Sequence, residues 1–215
     1  MELINFNNYN ITCVYENLKE TFISRDKIKE IYPDSNIIEG PENLIIIDFS
    51  DSKLPNYQFQ ARYDSRRLYV NKQFNQDNDF EESINEFIET TINLDSAIKG
   101  NKKIKAYGFN YDGVFALDDK SSAVELVKNK LLKEEEINKK MKNAKIIQFN
   151  PEITFDYQDF LLTIKLSPAY EPENFLPFHI NSHFNSTRLE KDKLKIDFNK
   201  YYDLAFNKIE KLLNE

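Results

Sequence analysis

The sequence predicts an α+β fold, a mostly antiparallel, curved sheet with helices packed on one of its faces. Three observations carry that expectation. Long stretches alternate apolar and polar residues with the two-residue period of half-buried strands, most clearly over Ile147–Tyr157 and Phe160–Leu166. Two other segments show helical spacing behind capping residues, at Asp79 and Ser122. At 215 residues, with 40% hydrophobic and 30% charged residues, the chain carries enough apolar material for one sizeable core.

Taken in order, Asn10–Tyr15 reads as a strand with Ile11, Cys13 and Tyr15 on one face. Ser24 to Tyr32 reads as a short helix stopped by Pro33. Asn43 to Phe49 is a compact apolar run, expected as a buried strand. A hairpin follows: Tyr57, Phe59, Ala61 and Tyr63 alternate inward, Asp64-Ser65 turns the chain, and Leu68, Val70 and Phe74 return. Behind Asp79, residues Phe80, Ile84, Phe87, Ile88 and Thr91 form one helical stripe. Ile104 to Leu117 is a strand with Tyr107, Phe109, Tyr111, Phe115 and Leu117 on one face and Ala106, Gly108, Asn110 and Asp112 on the other. A glycine inside a strand weakens it unless another backbone must come close. This strand is therefore expected at the sheet centre, with a helix on its small face. Ser122 caps a second helix, with Val124, Val127 and Leu131 on its stripe and a charged continuation to Met141.

The clearest β signal is the hairpin of Ile147, Phe149, Pro151, Ile153, Phe155 and Tyr157 with Phe160, Leu162, Ile164 and Leu166. Pro151 marks an edge or a bulge. A Pro-bearing loop from Ser167 to Pro177 leads to a strand at Phe178–Phe184. Leu194-Lys195-Ile196 is a candidate further strand, and Asn199 to Leu213 a terminal helix. The layout fits a single domain over 1–215, with candidate pseudo-halves 1–100 and 101–215. Asp79-Phe80 and Asp197-Phe198 both stand at expected helix starts, and Ile84, Phe87 and Ile88 match Tyr202, Ala205 and Phe206 in offset. A duplicated strands-then-helix unit would produce this echo, and so would any two amphipathic helices.

The phrase Lys105-Ala106-Tyr107-Gly108-Phe109-Asn110-Tyr111 resembles a glycine–hydrophobic–Asn–aromatic strand of some uncharacterised bacterial proteins. The order of strands closed by a terminal helix is similar to SecB-like chaperone folds. That family's residue pattern is not found here, so the resemblance implies no site residue.

Composition narrows the function. A net charge of -7 argues against broad phosphate-backbone binding. The four glycines, Gly40, Gly100, Gly108 and Gly113, build neither a Rossmann nor a P-loop motif. The N-terminal residues show no basic-then-apolar secretory signal, and the purest apolar run is Leu44-Ile45-Ile46-Ile47. One cysteine, Cys13, makes no internal disulfide and fits a reducing cytosol. Abundant Asn, Lys and Ile suggest an AT-rich bacterial or phage genome.

Candidate chemistry is sparse. His179 and His183 have the helical spacing of zinc ligands but sit in a strand pattern, which puts them about 13 Å apart at roughly 3.3 Å per residue. Solvent-facing histidines are expected instead. Cys13 reads as a buried structural thiol. Asp112, Asp118 and Asp119, and Asp48 with Asp51, gather at expected strand ends without a nuclease motif. Arg62, Arg66, Arg67 and Lys72 crowd one hairpin beside Tyr57, Tyr63 and Tyr69, the composition of a single-strand nucleic-acid grip. Asn110 and Asp112 are a candidate pocket pair, with a loop or a helix end as the alternative partner. The expectation is a non-enzymatic cytosolic interaction or scaffold component, acting through sheet edges and aromatic surface on a protein partner or on itself. It needs no cofactor, metal or membrane. A metal-dependent nuclease or hydrolase, or nucleic-acid binding through the Arg62–Lys72 hairpin, are the alternatives.

Overall fold

The computed structural model describes residues 2–16, 21–49, 59–64, 66–73, 80–117, 122–132, 137, 148–169 and 171–214. The first part of the chain gives β1 (Glu2–Tyr15), β2 (Phe22–Ile23), α1 (Arg25–Ile31), β3 (Asn36–Glu39), β4 (Ile45–Asp48), β5 (Phe59–Tyr63), β6 (Arg67–Lys72), α2 (Phe80–Ala97) and β7 (Ile98–Lys99). The second gives β8 (Ile104–Ala116), α3 (Ala123–Leu131), β9 (Glu152–Asp156), β10 (Phe160–Leu166), β11 (Phe175–Asn185) and α4 (Lys191–Asn214). Nine strands form one antiparallel sheet in the order β3-β4-β5-β6-β1-β8-β11-β10-β9, and β2 pairs with β7 in a small separate ribbon. This is the expected α+β architecture. Among the described residues no helix is long and apolar enough to cross a membrane.

The order repeats. Outward from the central β1–β8 pair the sheet runs β6-β5-β4 on one side and β11-β10-β9 on the other. Each side is built in the same chain order: a long strand, a helix, a three-stranded meander, a helix. The first side adds β3 beyond β4.

Local sequence explains the starts and stops. Ser24 and Ser122 cap α1 and α3 through their Oγ atoms, which accept from the amides of Lys27 and Glu125. Asp64 Oδ1 accepts from the amides of Arg66 and Arg67 at 3.1 and 2.8 Å, which turns β5 into β6. The continuation of α3 toward Met141, and the residues at 57, 74, 79 and 147, lie outside the described residues.

One face of the sheet carries the core. Tyr9, Ile11 and Cys13 of β1 lie beside Leu68 and Val70 of β6 and beside Tyr107, Phe109 and Tyr111 of β8, all buried. Phe198 of α4 is the hub, with ring centroids 5.2 Å from Tyr9, 5.5 Å from Phe109, 5.3 Å from Tyr111 and 6.1 Å from Phe87 of α2. Further along α4, Phe206 stands against Phe115 and Phe178, and Tyr201 against Phe160 and Phe184. Burial pushes the hydroxyls of Tyr9, Tyr15 and Tyr111 well above the usual tyrosine range.

Four expectations are corrected. The helices cover the aromatic face of β8, not its small face, because Tyr107, Phe109, Tyr111 and Phe115 carry the apolar area that must leave water. Gly108 does meet the close backbone expected of a glycine in a central strand, and it is strand β11 that supplies it: a Cβ there would stand 2.8 Å from the carbonyl oxygen of Ser182. The segment Leu194–Ile196 is helix, and α4 begins at Lys191, so Asp197-Phe198 lies inside it rather than at its start. β11 begins at Phe175 and runs through Pro177, while β9 is shorter than the alternation suggested and starts only after Pro151.

Candidate interaction surface

The side chains that alternate away from the helices form a face of a different chemistry, open over its outer strands and buried at Asn10 and Asn71. The pairing register lines up one residue per strand across all nine: Asn36, Asp48, Gln60, Asn71, Asn10, Asn110, Asn181, Thr163 and Thr154. The amides at the centre satisfy one another. Asn110 Nδ2 donates to Asn10 Oδ1 at 2.7 Å, and Asn181 Nδ2 donates to Asn110 Oδ1 at 2.5 Å. Tyr69 Oη donates to Asn71 Oδ1 at 3.1 Å, and the hydroxyls of Thr154 and Thr163 share a hydrogen bond at 2.9 Å.

The row beside it holds Asn8, Asp112, His179, Lys165 and Glu152. His179 Nδ1 and Asp112 Oδ1 are 2.7 Å apart, and both side chains are about two-fifths exposed. Asn110 and Asp112 therefore find hydrogen-bond partners on neighbouring strands, at Asn10, Asn181 and His179. His183 lies four residues from His179 on the same open face, paired in register with Gly108 and Leu161. Asp118, Asp119 and Asp51 lie outside the described residues. Among the described residues no group of three or more His, Cys, Asp or Glu side chains could hold a metal ion.

The arginine hairpin divides. Arg62, Arg66 and Arg67 are exposed, and Arg62 pairs in register with Tyr69. Burial, with Asp112 next, raises the Tyr69 hydroxyl above its ordinary range. Lys72 leaves this surface. Its residue parity matches Leu68 and Val70, so it enters the core, where Nζ stands 4.9 Å from the Phe59 ring centroid and pairs with the Glu86 carboxylate. Cys13 is buried, and burial pushes its thiol far up, which suits a structural role and not a nucleophile.

The two sheet edges differ. β9 is guarded: Pro151 precedes it, Glu152 and Asp156 are exposed on its open side, and Lys208 of α4 stands 5.4 Å from the Phe155 ring centroid and 5.8 Å from that of Tyr157. β3 carries one charge, Glu39, held by Arg25 at 2.9 Å, and leaves Ile38 53% exposed. No protein-family model matches this sequence, and no curated protein matches it significantly.

Proposed function

We propose that this protein is a non-enzymatic interaction component whose sheet adds a strand at the β3 edge, the added strand coming from a second copy of the chain. The observation that carries the reading is the exposed Ile38 on an edge strand without proline or unpaired charge. Two copies paired antiparallel about Ile38 set isoleucine against isoleucine and oppose no like charges. The same operation about Thr154 of β9 opposes Glu152 to Asp156, so the two edges are not equivalent for self-association. The lone buried thiol fits a reducing cytosol, and the Asn-, Lys- and Ile-rich composition fits a bacterial or phage source.

Light scattering on a size-exclusion column tests this. The wild type is expected to rise with concentration from 25.5 kDa toward twice that mass. Ile38→Lys should hold it monomeric, and Thr154→Lys should not. A monomer at every concentration, or equal behaviour of the two variants, overturns the reading.

A further inference from the structure

The exposed loop between β11 and α4 crosses the end of β8 and leaves a cleft there, away from both sheet edges. This is a shallow cleft of about 560 Å³ that opens broadly to solvent, so a bound group would stay partly exposed. Lys105, Arg188 and Lys193 line it, with Glu190 as the one lining acid. Asn185, Ser186 and Thr187 supply the rest of the wall. Three cations gathered in one recess are unexpected on a chain of net charge -7.

Two of the three cations are held in place by acids. Asn185 pairs in register with Ala106, and the amide of Ser186 donates to the carbonyl of Lys105 at 3.2 Å, which pins the loop against β8. Ser186 Oγ donates to the carbonyl of Arg188 at 3.0 Å and shapes the loop's return. Beneath the cleft lies Asp197, only 6% exposed. Its Oδ2 accepts from Lys193 Nζ at 2.6 Å and from Tyr107 Oη at 2.7 Å, so a buried carboxylate holds Lys193 in place. Arg188 reaches Glu190 at 3.2 Å, both well exposed. The Lys105 ammonium makes no ion pair among the described residues. Even with Asp197 counted, cations exceed acids by three to two. The α4 N-terminus opens beside them and adds partial positive charge. The cations and the recess, not the helix end, make the site.

We infer that this cleft binds the phosphate group of a small phosphorylated molecule, of about mononucleotide size. Arg188 would supply paired donors, Lys105 and Lys193 point charges, and Asn185 and Thr187 neutral donors. The inference does not rest on self-association through β3.

Titration calorimetry of the full chain at fixed ionic strength tests it, with inorganic phosphate and AMP as probes. Saturable millimolar or tighter binding of at least one probe is expected. Lys105→Ala should weaken it at least fivefold with an unchanged melting curve, because that ammonium supports nothing else. Glu190→Gln should strengthen it two- to fivefold. AMP binding tenfold tighter than phosphate would assign the remaining volume to the nucleoside, and equal binding would assign the site to phosphate alone. Absence of saturable binding by either probe, or binding indifferent to Lys105→Ala, overturns the inference.

Discussion

The two sides of the sheet share a plan and differ at their margins. β1 and β8 meet at Asn10 and Asn110, and the next strand on each side carries its asparagine, Asn71 or Asn181, in the same row. Outside this common centre the sides part. The first ends in β3 with an exposed isoleucine, the second in β9 behind a proline and two acids. The covering helices part too: α2 spans 18 residues, whereas α4 spans 24 and brings Phe198, Tyr201, Tyr202 and Phe206 against the sheet. What the sides share is what a sheet needs to hold together. What distinguishes them, an open edge on one and a basic cleft on the other, is where the proposed contacts lie.

The strongest way to break the comparison is alkaline titration of the tyrosine-rich seam where the sheet meets its helices. Among the described residues, eight tyrosines have hydroxyls raised above their ordinary range, chiefly by burial. Tyr202 is pushed up to about 12. An unfolded tyrosine ionises near about 10, so from that pH upward the unfolded chain releases protons the native one keeps. The stabilisation is complete below that pH and is lost as pH rises through the native values. The tyrosinate absorbance of these eight should therefore appear together with loss of circular dichroism. Smooth ionisation near the ordinary value in an intact fold would show that the seam is wet.

Next in size, Phe198→Ala removes the ring shared by β1, β8 and α2, and should cost about 3–5 kcal/mol in denaturant unfolding. Phe87→Ala, on the shorter helix, should cost less. A reversed order would place the weight of the core on the first side. Smaller again, Gly108→Ala drives a Cβ against the Ser182 carbonyl and should cost about 1–3 kcal/mol by pushing β8 from β11, with no counterpart for an added methyl at exposed Gly40, where only the Leu44 side chain must give.

Much of this architecture was legible in the sequence, because strands that bury one face advertise it by alternation. Tyr107 to Phe115 and Phe160 to Leu166 are strands with the faces their parity demands. The start of α4 was not legible. Leu194, Ile196 and Phe198 alternate like a strand, yet Leu194, Phe198, Tyr201, Ala205, Ile209 and Leu213 form the helical stripe that wins, and Ile196 is left 63% exposed as the cost. Lys72 is buried in spite of its charge because its parity follows Leu68 and Val70, which the charge alone conceals. The asparagine row was invisible for another reason. Its neighbouring members are 61 to 100 residues apart along the chain, and only the pairing register brings them side by side. The one local signal is an asparagine flanked by large apolar residues, as at Tyr9-Asn10-Ile11 and Phe109-Asn110-Tyr111.

That row has a consequence for how the strands find their alignment. A slip of one residue turns a strand's apolar side chains to water and is rejected at once. A slip of two keeps every face correct, so burial alone discriminates weakly against it. Moving β1 or β11 by two residues would pull Asn10 or Asn181 away from Asn110 and strand the amides that now answer each other. The polar face thus works as a vernier, selecting among frames that the greasy side would accept alike.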